Sequence, residues 1–457
     1  MKYILLLLTS TIILFISGCT STKQLPKQNI KLPKSFSITG TQTLQSKWWE
    51  TFEDSELNRL IESALASNLS LQATWERLTQ ARAIAIKSGA SLYPNLSLSN
   101  EISTTKNHGS TNNFSSGVAA SYEIDLWGRL NSQADASLFE LKASHESLLS
   151  ASISLSAEVA STWYRLKEQH SHAILLDNQI LLNEKHLKLT QRKFRSAQAK
   201  ASDILQQRQV LESVKGEAIL TNGRIKLFEH QLALLLGVNA GTLKYSKESN
   251  LTVKVHLPKI DIASEFLMQR PDVKAAYYKL QAYDKLLANA VAEQYPKFTI
   301  SASLRSNSIS ANELFTNWLL TLIGNISAPL FDAGMRRAEV DKRVSQRDEQ
   351  FFQYSYILLN ALKDVEDSLS KVTHQQRYVD SLNRQVELSN SSLKQIREQY
   401  IHANTSFISF LNAQLSHKNL QRNQISASRE LIENKISLNR ALASGWTLIR
   451  KLPTVKD

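Results

Sequence analysis

The sequence contains a single cysteine, Cys19, among 457 residues. An exported mature chain therefore has no internal disulfide bond and no free thiol elsewhere. Long apolar runs are scarce as well, because beyond residue 18 no run reaches the roughly 18 residues that a membrane-crossing helix requires. These absences exclude a disulfide-stapled domain and an ordinary helical membrane protein.

Prolines are missing from residues 95–257 and 330–452, so nothing in either stretch must interrupt a helix. Seven-residue steps through these stretches mark two series: Leu138, His145, Ser152, Val159, Leu166, Ala173, Ile180, Leu187, Phe194 and, in parallel, Val344, Phe351, Leu358, Val365, Val372, Val379, Val386, Leu393, Tyr400. The second series is apolar at every step. A strict repeat of this kind predicts very long helices that coil around their neighbours.

The chain also repeats one plan. The segment that opens with Tyr93-Pro94 recurs at Tyr295-Pro296, and Asp125 to Arg129 has a looser echo in residues 331–336. Each half is predicted to contain a helix, a strand pair, a very long helix and a medium helix. The predicted organisation is a signal peptide (1–18), an N-terminal extension (19–54), a first repeat (55–262; strands about 94–127, long helices about 128–237), a second repeat (263–446; strands about 296–331, long helices about 334–443) and a tail (447–457).

The strand pairs alternate apolar and small polar residues over about ten positions, as transmembrane β-strands do. The return strand of the second pair is predicted to run from Trp318 to Leu330. Two alternatives stay open: soluble hairpins packed on the helices, and a solid coiled coil without a lumen. Four strands cannot close a barrel around water, and lipid does not tolerate an open edge. Membrane-embedded strands would therefore require several chains, in a number that these patterns do not fix.

The N-terminus has the form of a secretory signal, with Lys2 before an apolar run from Ile4 to Ile16. Residues 16–19 resemble the lipobox of bacterial lipoproteins, in which Cys19 would be the site of lipid attachment. A plain signal peptide with a chance cysteine is the alternative. Thr20 stands where an inner-membrane retention signal would carry aspartate, so the resemblance favours the outer membrane.

The charge of the chain does not indicate a nucleic-acid-binding protein. Removal of the signal, whose only charge is Lys2, leaves 53 basic against 41 acidic residues. These basic residues are scattered among Ser, Gln and Glu without an aromatic–basic platform. There is no glycine-rich phosphate loop, no His-Glu-x-x-His and no cysteine nucleophile, so an enzyme, a bound cofactor and a metal site are not expected.

One motif resembles a known family. Residues 122–129 are very similar to the signature of outer-membrane efflux lipoproteins, the OprM-like or NodT-type branch of the TolC family. Supporting matches include Trp48-Trp49, Arg270-Pro271-Asp272-Val273 and Gly445-Trp446. The signature residues are Tyr122, Glu123, Asp125, Leu126, Trp127, Gly128 and Arg129.

The resemblance implies a mainly α fold with a β-barrel part. Three identical chains would each give four strands to a twelve-stranded barrel in the outer membrane, and their helices would form a tunnel through the periplasm. The partners implied are a periplasmic adaptor, an inner-membrane pump that supplies the energy, and outer-membrane lipid. The function implied is passive conduction of expelled substrates.

The resemblance also places a periplasmic gate at Asp203, Tyr400, Ser409 and Asn412. In the branch with the best-described gate, the positions matching Ser409 and Asn412 are acidic, and arginine stands in the place of Thr405. The neutral residues here predict weaker cation binding at the tip, because rings of charge set ion preference at constrictions. An alternative role for Asp203 is that of a helix N-cap.

Two rival functions remain open from sequence. A structural lipoprotein tether needs only long helices and a lipid anchor, and a protein-secretion duct would use the same architecture with another pump. The exported substrate cannot be read from the residues.

Overall fold

The computed structural model describes residues 25–26, 33, 35–38, 47–106, 110–246, 251, 263–402 and 404–442. The chain divides into two compact units. Gly89–Ala136 and Leu280–Gln353 belong to the first, which contains the strands. Leu32–Ser88, Ser137–Lys279 and Tyr354–Asp457 belong to the second, which is helical wherever it has regular structure within the described residues.

The regular elements follow the repeated plan. The α-helices are α1 (Ser55–Ser67), α2 (Leu69–Ala90), α3 (Arg129–Arg195), α4 (Ala201–Leu236), α5 (Ala263–Gln269), α6 (Pro271–Ala292), α7 (Met335–Ile401) and α8 (Phe407–Leu442). The strands are β1 (Asn95–Lys106), β2 (Ser110–Ile124), β3 (Lys297–Ser308) and β4 (Trp318–Ser327). Short 3₁₀ turns lie at Trp48–Phe52, Ala240–Thr242 and Ala311–Glu313.

The two long hairpins of helices match in length, which reflects the internal repeat. Both α3 and α7 contain 67 residues, and both α4 and α8 contain 36. No proline lies inside any of these four helices, so each backbone hydrogen-bond ladder can continue without a break.

The seven-residue series of α7 is confirmed as its packing face. Six of its nine members are buried and the other three are half-buried. The weaker series of α3 behaves differently at its ends, because Leu138 and Phe194 are exposed while Val159 and Leu166 are fully buried. The apolar period therefore predicts the buried face along the middle of α3, where the polar member Ser152 is also buried, and fails at the two ends of the series.

One buried apolar cluster of the helical unit gathers around the N-terminal aromatics. Trp48, Trp49 and Phe52 pack with α1 and with Trp163 and Tyr164 of α3. Trp48 meets Trp49 and Phe52 edge to face, with centroids 5.9 and 5.7 Å apart. Both tryptophans are buried, so in this structure they serve as packing residues.

A buried ion pair connects the start of α1 to α3. Asp54 caps α1 by accepting a hydrogen bond from the backbone N–H of Leu57. Its Oδ2 also accepts from Trp163 Nε1 at 2.9 Å and from Lys167 Nζ at 3.0 Å. Burial alone would raise the pKa of Asp54, but these hydrogen bonds and the Lys167 charge hold it below its ordinary value.

The four strands form one antiparallel sheet in the order β1-β2-β3-β4. Strand β4 ends at Ser327, three residues before the predicted end at Leu330, so that part of the prediction is wrong. Pro329 lies in the excess segment and has no N–H for a ladder. Among the described helices, none combines the length and the apolar character needed to cross a membrane.

Candidate channel wall and periplasmic gate

The register of the sheet separates apolar from polar residues onto opposite faces. One row places Leu98, Val118, Leu304 and Leu320 side by side, and the next places Leu96, Ala120, Ala302 and Leu322 side by side. The alternate positions are mostly small or polar, for example Ser97, Ala119, Ser303 and Thr321 in one row, although β4 also carries Leu319 and Ile323 on this face. Since the side-chain period of a strand is two, this register forms one apolar face across all four strands.

The apolar face is largely uncovered. Leu96 and Leu322 are 73% and 71% exposed, and Leu320 and Ile326 are similar. On a protein surface, a contiguous apolar patch of this kind marks a site of contact with a membrane or with another protein. An apolar band opposite a polar face is the pattern of a barrel wall that borders lipid on one side and water on the other.

Aromatic residues lie at both ends of the strands. At one end Trp127 stacks on Tyr295 with centroids 4.8 Å apart, and its Nε1 donates to the carbonyl of Pro296 at 2.8 Å. At the other end Phe315 lies beside Trp318 at 6.2 Å. Tryptophan and tyrosine favour the membrane–water interface because they join an apolar ring to a polar group. Trp127 and Trp318 are both about half exposed.

The signature motif forms the joint where β2 becomes α3. Arg129 donates three hydrogen bonds of 2.8–3.0 Å to the carboxylate of Glu123. Asp125 accepts from the backbone N–H groups of Leu130 and Asn131 at 3.0 and 2.8 Å, which satisfies two donors in the first turn of the helix. Gly128 has φ +72°, a conformation that glycine adopts without strain.

The remaining signature residues face outward. Tyr122 lies on the apolar face of β2, opposite Ile300, and Leu126 is exposed just beyond the strand. The motif therefore combines a rigid strand-to-helix joint with apolar residues at the edge of the wall. Its charged side chains, Glu123, Asp125 and Arg129, are engaged in the hydrogen bonds of the joint itself.

The second repeat builds the same joint with other residues. Asp332 accepts hydrogen bonds from the backbone N–H groups of Gly334 and Arg336, and Arg336 Nη1 donates to it at 2.9 Å. Gly334 has φ +86°. The similarity between residues 125–129 and 331–336 in the sequence therefore reflects a shared backbone geometry and a shared way of capping the following helix.

The predicted gate residues lie at the ends of the two helical hairpins. Asp203 is in the first turn of α4, where its Oδ2 accepts from the backbone N–H of Lys200 at 2.9 Å. Asp203 is therefore not the N-cap of α4, a position that Lys200 occupies. It is the third helical residue, and its side chain caps the backbone N–H of Lys200. Ser409 and Asn412 are exposed on α8. Ser409 pairs with Ser406, whose Oγ accepts its backbone N–H at 3.1 Å.

Tyr400 lies in a different environment from the other three. It is 4% exposed, and its ring is parallel to that of Phe410 with centroids 5.2 Å apart. Phe407 completes the cluster. Burial raises the pKa of Tyr400, so the phenol stays neutral in the physiological range.

Lys193 of α3 reaches this cluster and was not predicted from sequence. Its Nζ donates to the carbonyl oxygen of Tyr400 and lies 4.3 Å from the centre of the tyrosine ring. That carbonyl is in the last turn of α7, where a cation also interacts favourably with the helix dipole. A lysine in a basic stretch of sequence gives no signal of this contact, which depends on how the two hairpins pack.

Cys19, the predicted lipid attachment site, lies outside the described residues, as does Gly445-Trp446. Over the described part of the chain, no group of three or more His, Cys, Asp or Glu side chains is placed to hold a metal ion.

These features are those of a known class of outer-membrane channel. The chain belongs to the outer membrane efflux protein family, whose model matches residues 60–238 and 262–444. It is similar to the pyoverdine export outer membrane protein OpmQ of Pseudomonas aeruginosa (28% identity, 90% of both chains). It is also similar to the cation efflux system protein CusC of Escherichia coli O157:H7 (25% identity, 96% of this chain and 98% of that one).

Solved structures share the fold. A crystal structure of CusC superimposes with a TM-score of 0.85 at 23% identity, covering 93% of this chain and 99% of the other. The CmeC outer membrane channel of Campylobacter jejuni gives 0.83 at 21% identity, covering 93% and 96%. The predicted TolC-like fold, with long coiled helices and a β-barrel part, is confirmed. The protein is an outer-membrane efflux channel that extends into the periplasm.

Proposed function

We propose that three copies of this chain assemble into one passive duct and that each copy supplies a third of the barrel. The observation that carries this proposal is the four-stranded sheet with one continuous apolar face. Its outermost strands, β1 and β4, run in opposite directions, so β4 of one copy can pair with β1 of the next in the same antiparallel pattern. Closure removes the open edges that lipid does not tolerate.

The number three has physical support. Copies that give four strands each can form barrels of eight, twelve or more strands. An eight-stranded barrel has an interior that side chains fill, leaving no room for a wide aqueous passage. Twelve strands are the smallest multiple of four above that limit, in agreement with the family resemblance.

The helical unit offers a second surface for assembly. Leu220, Leu227 and Leu234 of α4 follow one another at seven-residue spacing and are each more than 60% exposed. A seam of leucines at this spacing is suited to packing against another helix of a coiled assembly. In the proposed trimer this seam faces a neighbouring copy.

The proposed duct works with a periplasmic adaptor and an inner-membrane pump, which supplies the energy for export. Two relatives carry names that refer to different cargo, pyoverdine export for OpmQ and cation efflux for CusC. One channel architecture therefore occurs with unlike cargoes, which supports a selection made by the pump. A catalytic role and a resident cofactor are not part of this proposal.

The proposed anchor is a lipid on Cys19 after removal of residues 1–18. Each methylene of an acyl chain buried in the bilayer contributes about 0.8 kcal/mol, so several chains make attachment durable. A curated relative from Salmonella typhimurium, SilC, is named a probable outer membrane lipoprotein. The two proposed repeats, 55–262 and 263–446, follow this anchor and its extension.

The proposed gate is the group of hairpin ends near Asp203, Tyr400, Ser409 and Asn412. Ser409 and Asn412 are exposed and can border a lumen, while Tyr400 supports the tip from inside the packing of one chain. The neutral side chains at positions 409 and 412 support the expectation of weak cation binding.

Cysteine cross-linking tests the assembly. Ser99→Cys on β1 is combined, one at a time, with cysteines at positions 319, 321 and 323 of β4, and the protein is oxidised in native outer membranes. We expect at least one pair to give covalent dimers and trimers on a denaturing gel, and no larger species. The control pair Ser121→Cys and Ser301→Cys, which face each other within one chain, should give monomers only. Covalent tetramers would contradict the number three, and monomers for every β1–β4 pair would contradict pooled strands.

A further inference from the structure

A layer of buried amides joins the first helical hairpin to the second. Asn183 of α3, Gln207 of α4 and Gln414 of α8 are each completely buried. Asn183 Oδ1 accepts hydrogen bonds from Nε2 of both glutamines, each at 3.0 Å. Buried polar groups of this kind hold two packed elements in one register, because any shift leaves them without partners.

His186 lies one helical turn from this layer, on the side of the hairpin ends. It is 5% exposed and meets Phe410 of α8 edge to face, with centroids 4.9 Å apart. The side-chain amide of Gln414 faces the same ring. The imidazole is therefore enclosed between α3 and α8, at the contact surface of the two hairpins.

The charges that act on His186 are both positive. Arg397 faces it from α7 and Lys418 faces it from α8. The neighbouring layer contributes neutral Gln207 from α4. The residues one turn before and after His186 on the same face of α3, Asn183 and Thr190, are also neutral. No carboxylate among the described residues acts on the ring, so a proton added there has no counter-charge.

Lys418 is itself confined in this region. It is 4% exposed, and burial, together with the nearby charge of Arg422, lowers its pKa to about 8. Arg422 is paired with Glu217 of α4. His186 therefore lies near the positive charges of Arg397 and Lys418, and a further buried cation on its ring would be strongly unfavourable.

We propose that His186 is a proton-operated latch: as a neutral imidazole it holds the two hairpins together, and when it takes up a proton the hairpin ends separate and open the periplasmic end of the channel. This inference rests on the proposed function, since it assumes that the hairpin ends close the duct. It adds a specific trigger, acidification of the periplasm.

The direction of the effect follows from proton linkage. Burial, opposed only by the amide of Gln414, lowers the pKa of His186 from 6.5 to about 4. A proton therefore prefers the separated state, in which the ring is solvated. The stability that His186 gives to the packed state is complete above pH 6.5 and is lost as the pH falls towards 4. Between pH 7.5 and 5.0 the separated state should gain at least about tenfold in each copy.

Planar-bilayer recordings of the purified full-length protein test the latch. We expect the open probability of the wild type to rise at least about tenfold between pH 7.5 and 5.0, and that of His186→Gln to change less than twofold. The matched control is His417→Gln. His417 is also shielded from water, but its Nδ1 is 2.8 Å from Ser389 Oγ of α7, so it bridges two helices of the same hairpin. This control should keep the wild-type response.

A second readout measures the separation of the hairpins without conductance. Spin labels at Ala201→Cys and Asn404→Cys report the distance between the two hairpin ends, and the parent chain, whose only cysteine is Cys19, gives the background. We expect the distance to increase at pH 5.0 in the wild type and to stay constant in His186→Gln. If His186→Gln fails to assemble, Lys418→Met tests the same inference. Removal of the Lys418 charge makes protonation of His186 in the packed state less unfavourable, so the response to acid should weaken.

The outcomes separate the inference from the proposed function. A wild-type pH response in His186→Gln, or hairpin distances that do not depend on pH, would overturn the latch even if channels are seen. The absence of conductance at every pH would contradict the proposed duct. A pH-dependent distance in the same samples that is lost in His186→Gln would still show that His186 controls the separation of the hairpins.

Discussion

The guanidinium of Arg270 donates a hydrogen bond of 2.8 Å from Nη1 to the carbonyl oxygen of Ala441. Ala441 lies in the last turn of α8, whereas Arg270 directly precedes α6. The carboxylate of Asp272 accepts from Nε and Nη2 of the same guanidinium at 3.0 and 2.7 Å. The Arg-Pro-Asp-Val motif thus connects the start of α6 to the Ala441 carbonyl at the end of α8.

We predict that Arg270→Gln lowers the free energy of unfolding by about 3 kcal/mol. The guanidinium is buried and makes charge-assisted hydrogen bonds, whose loss leaves the Ala441 carbonyl without this donor and Asp272 without its ion pair. Thermal unfolding in detergent, followed by circular dichroism, measures the effect. Lys215→Gln is the control, because its pair with Glu212 is exposed and worth no more than about 0.5 kcal/mol. Equal melting temperatures for both variants would show that the motif does not secure the helix end.

The two strand-to-helix joints should respond alike to loss of their caps. Asp125→Ala and Asp332→Ala each remove a carboxylate that accepts backbone N–H groups at the start of a 67-residue helix. We expect each to lower the free energy of unfolding, as the loss of a helix cap does, and the double variant to lose the sum of the two effects. Denaturant unfolding measures both. A large loss at one joint and none at the other would contradict their structural equivalence.

Adjacent residues of β4 provide a matched test of which face borders lipid. Leu322→Arg places a charge on the apolar face and should cost about 2–4 kcal/mol near the bilayer centre. Thr321→Arg places the same charge on the polar face, where water solvates it, and should be tolerated. The fraction of protein that folds into outer-membrane lipid vesicles, seen by resistance to added protease, measures the difference. Equal folding of the two variants would refute the assignment of the faces.

The neutral gate is expected to bind cations weakly. Introducing Ser409→Asp together with Asn412→Asp would place a ring of carboxylates at the proposed constriction. Trivalent cations should then block the bilayer current at a concentration at least about tenfold lower than for the wild type. Ser391→Asp, on an exposed position of α7 away from the turn, is the control and should leave the block unchanged. A block that is equally strong in the wild type would contradict the predicted role of these positions.

The sequence predicts most of the fold because its signals are local. The repeated Tyr-Pro segments indicate where the strands begin. The long helices are predicted by the stretches without proline and by the apolar series of α7. The series on α3 predicts less, since Leu138 and Phe194 lie at its exposed ends. Apolar spacing identifies a face, but only the partner helix determines how far along its length that face is covered.

The contacts at the hairpin surface could not be predicted in this way. Asn183, Gln207 and Gln414 resemble the polar residues of a solvated helix face, and only packing against other helices buries them. Lys193 likewise resembles a solvent-exposed lysine in the sequence, although the structure buries it. Burial of these side chains depends on residues more than 200 positions apart, for example Asn183 and Gln414. Local composition carries no information on such pairs.

The most direct test is the conductance of the purified, acylated protein in planar bilayers. The proposed assembly predicts discrete, long-lived channels in the wild type and far fewer channel insertions for Leu322→Arg, with Thr321→Arg close to the wild type. If folded, bilayer-inserted wild-type protein carries no current in any condition, including acidic buffer, the claim that separate copies enclose a water-filled passage is contradicted.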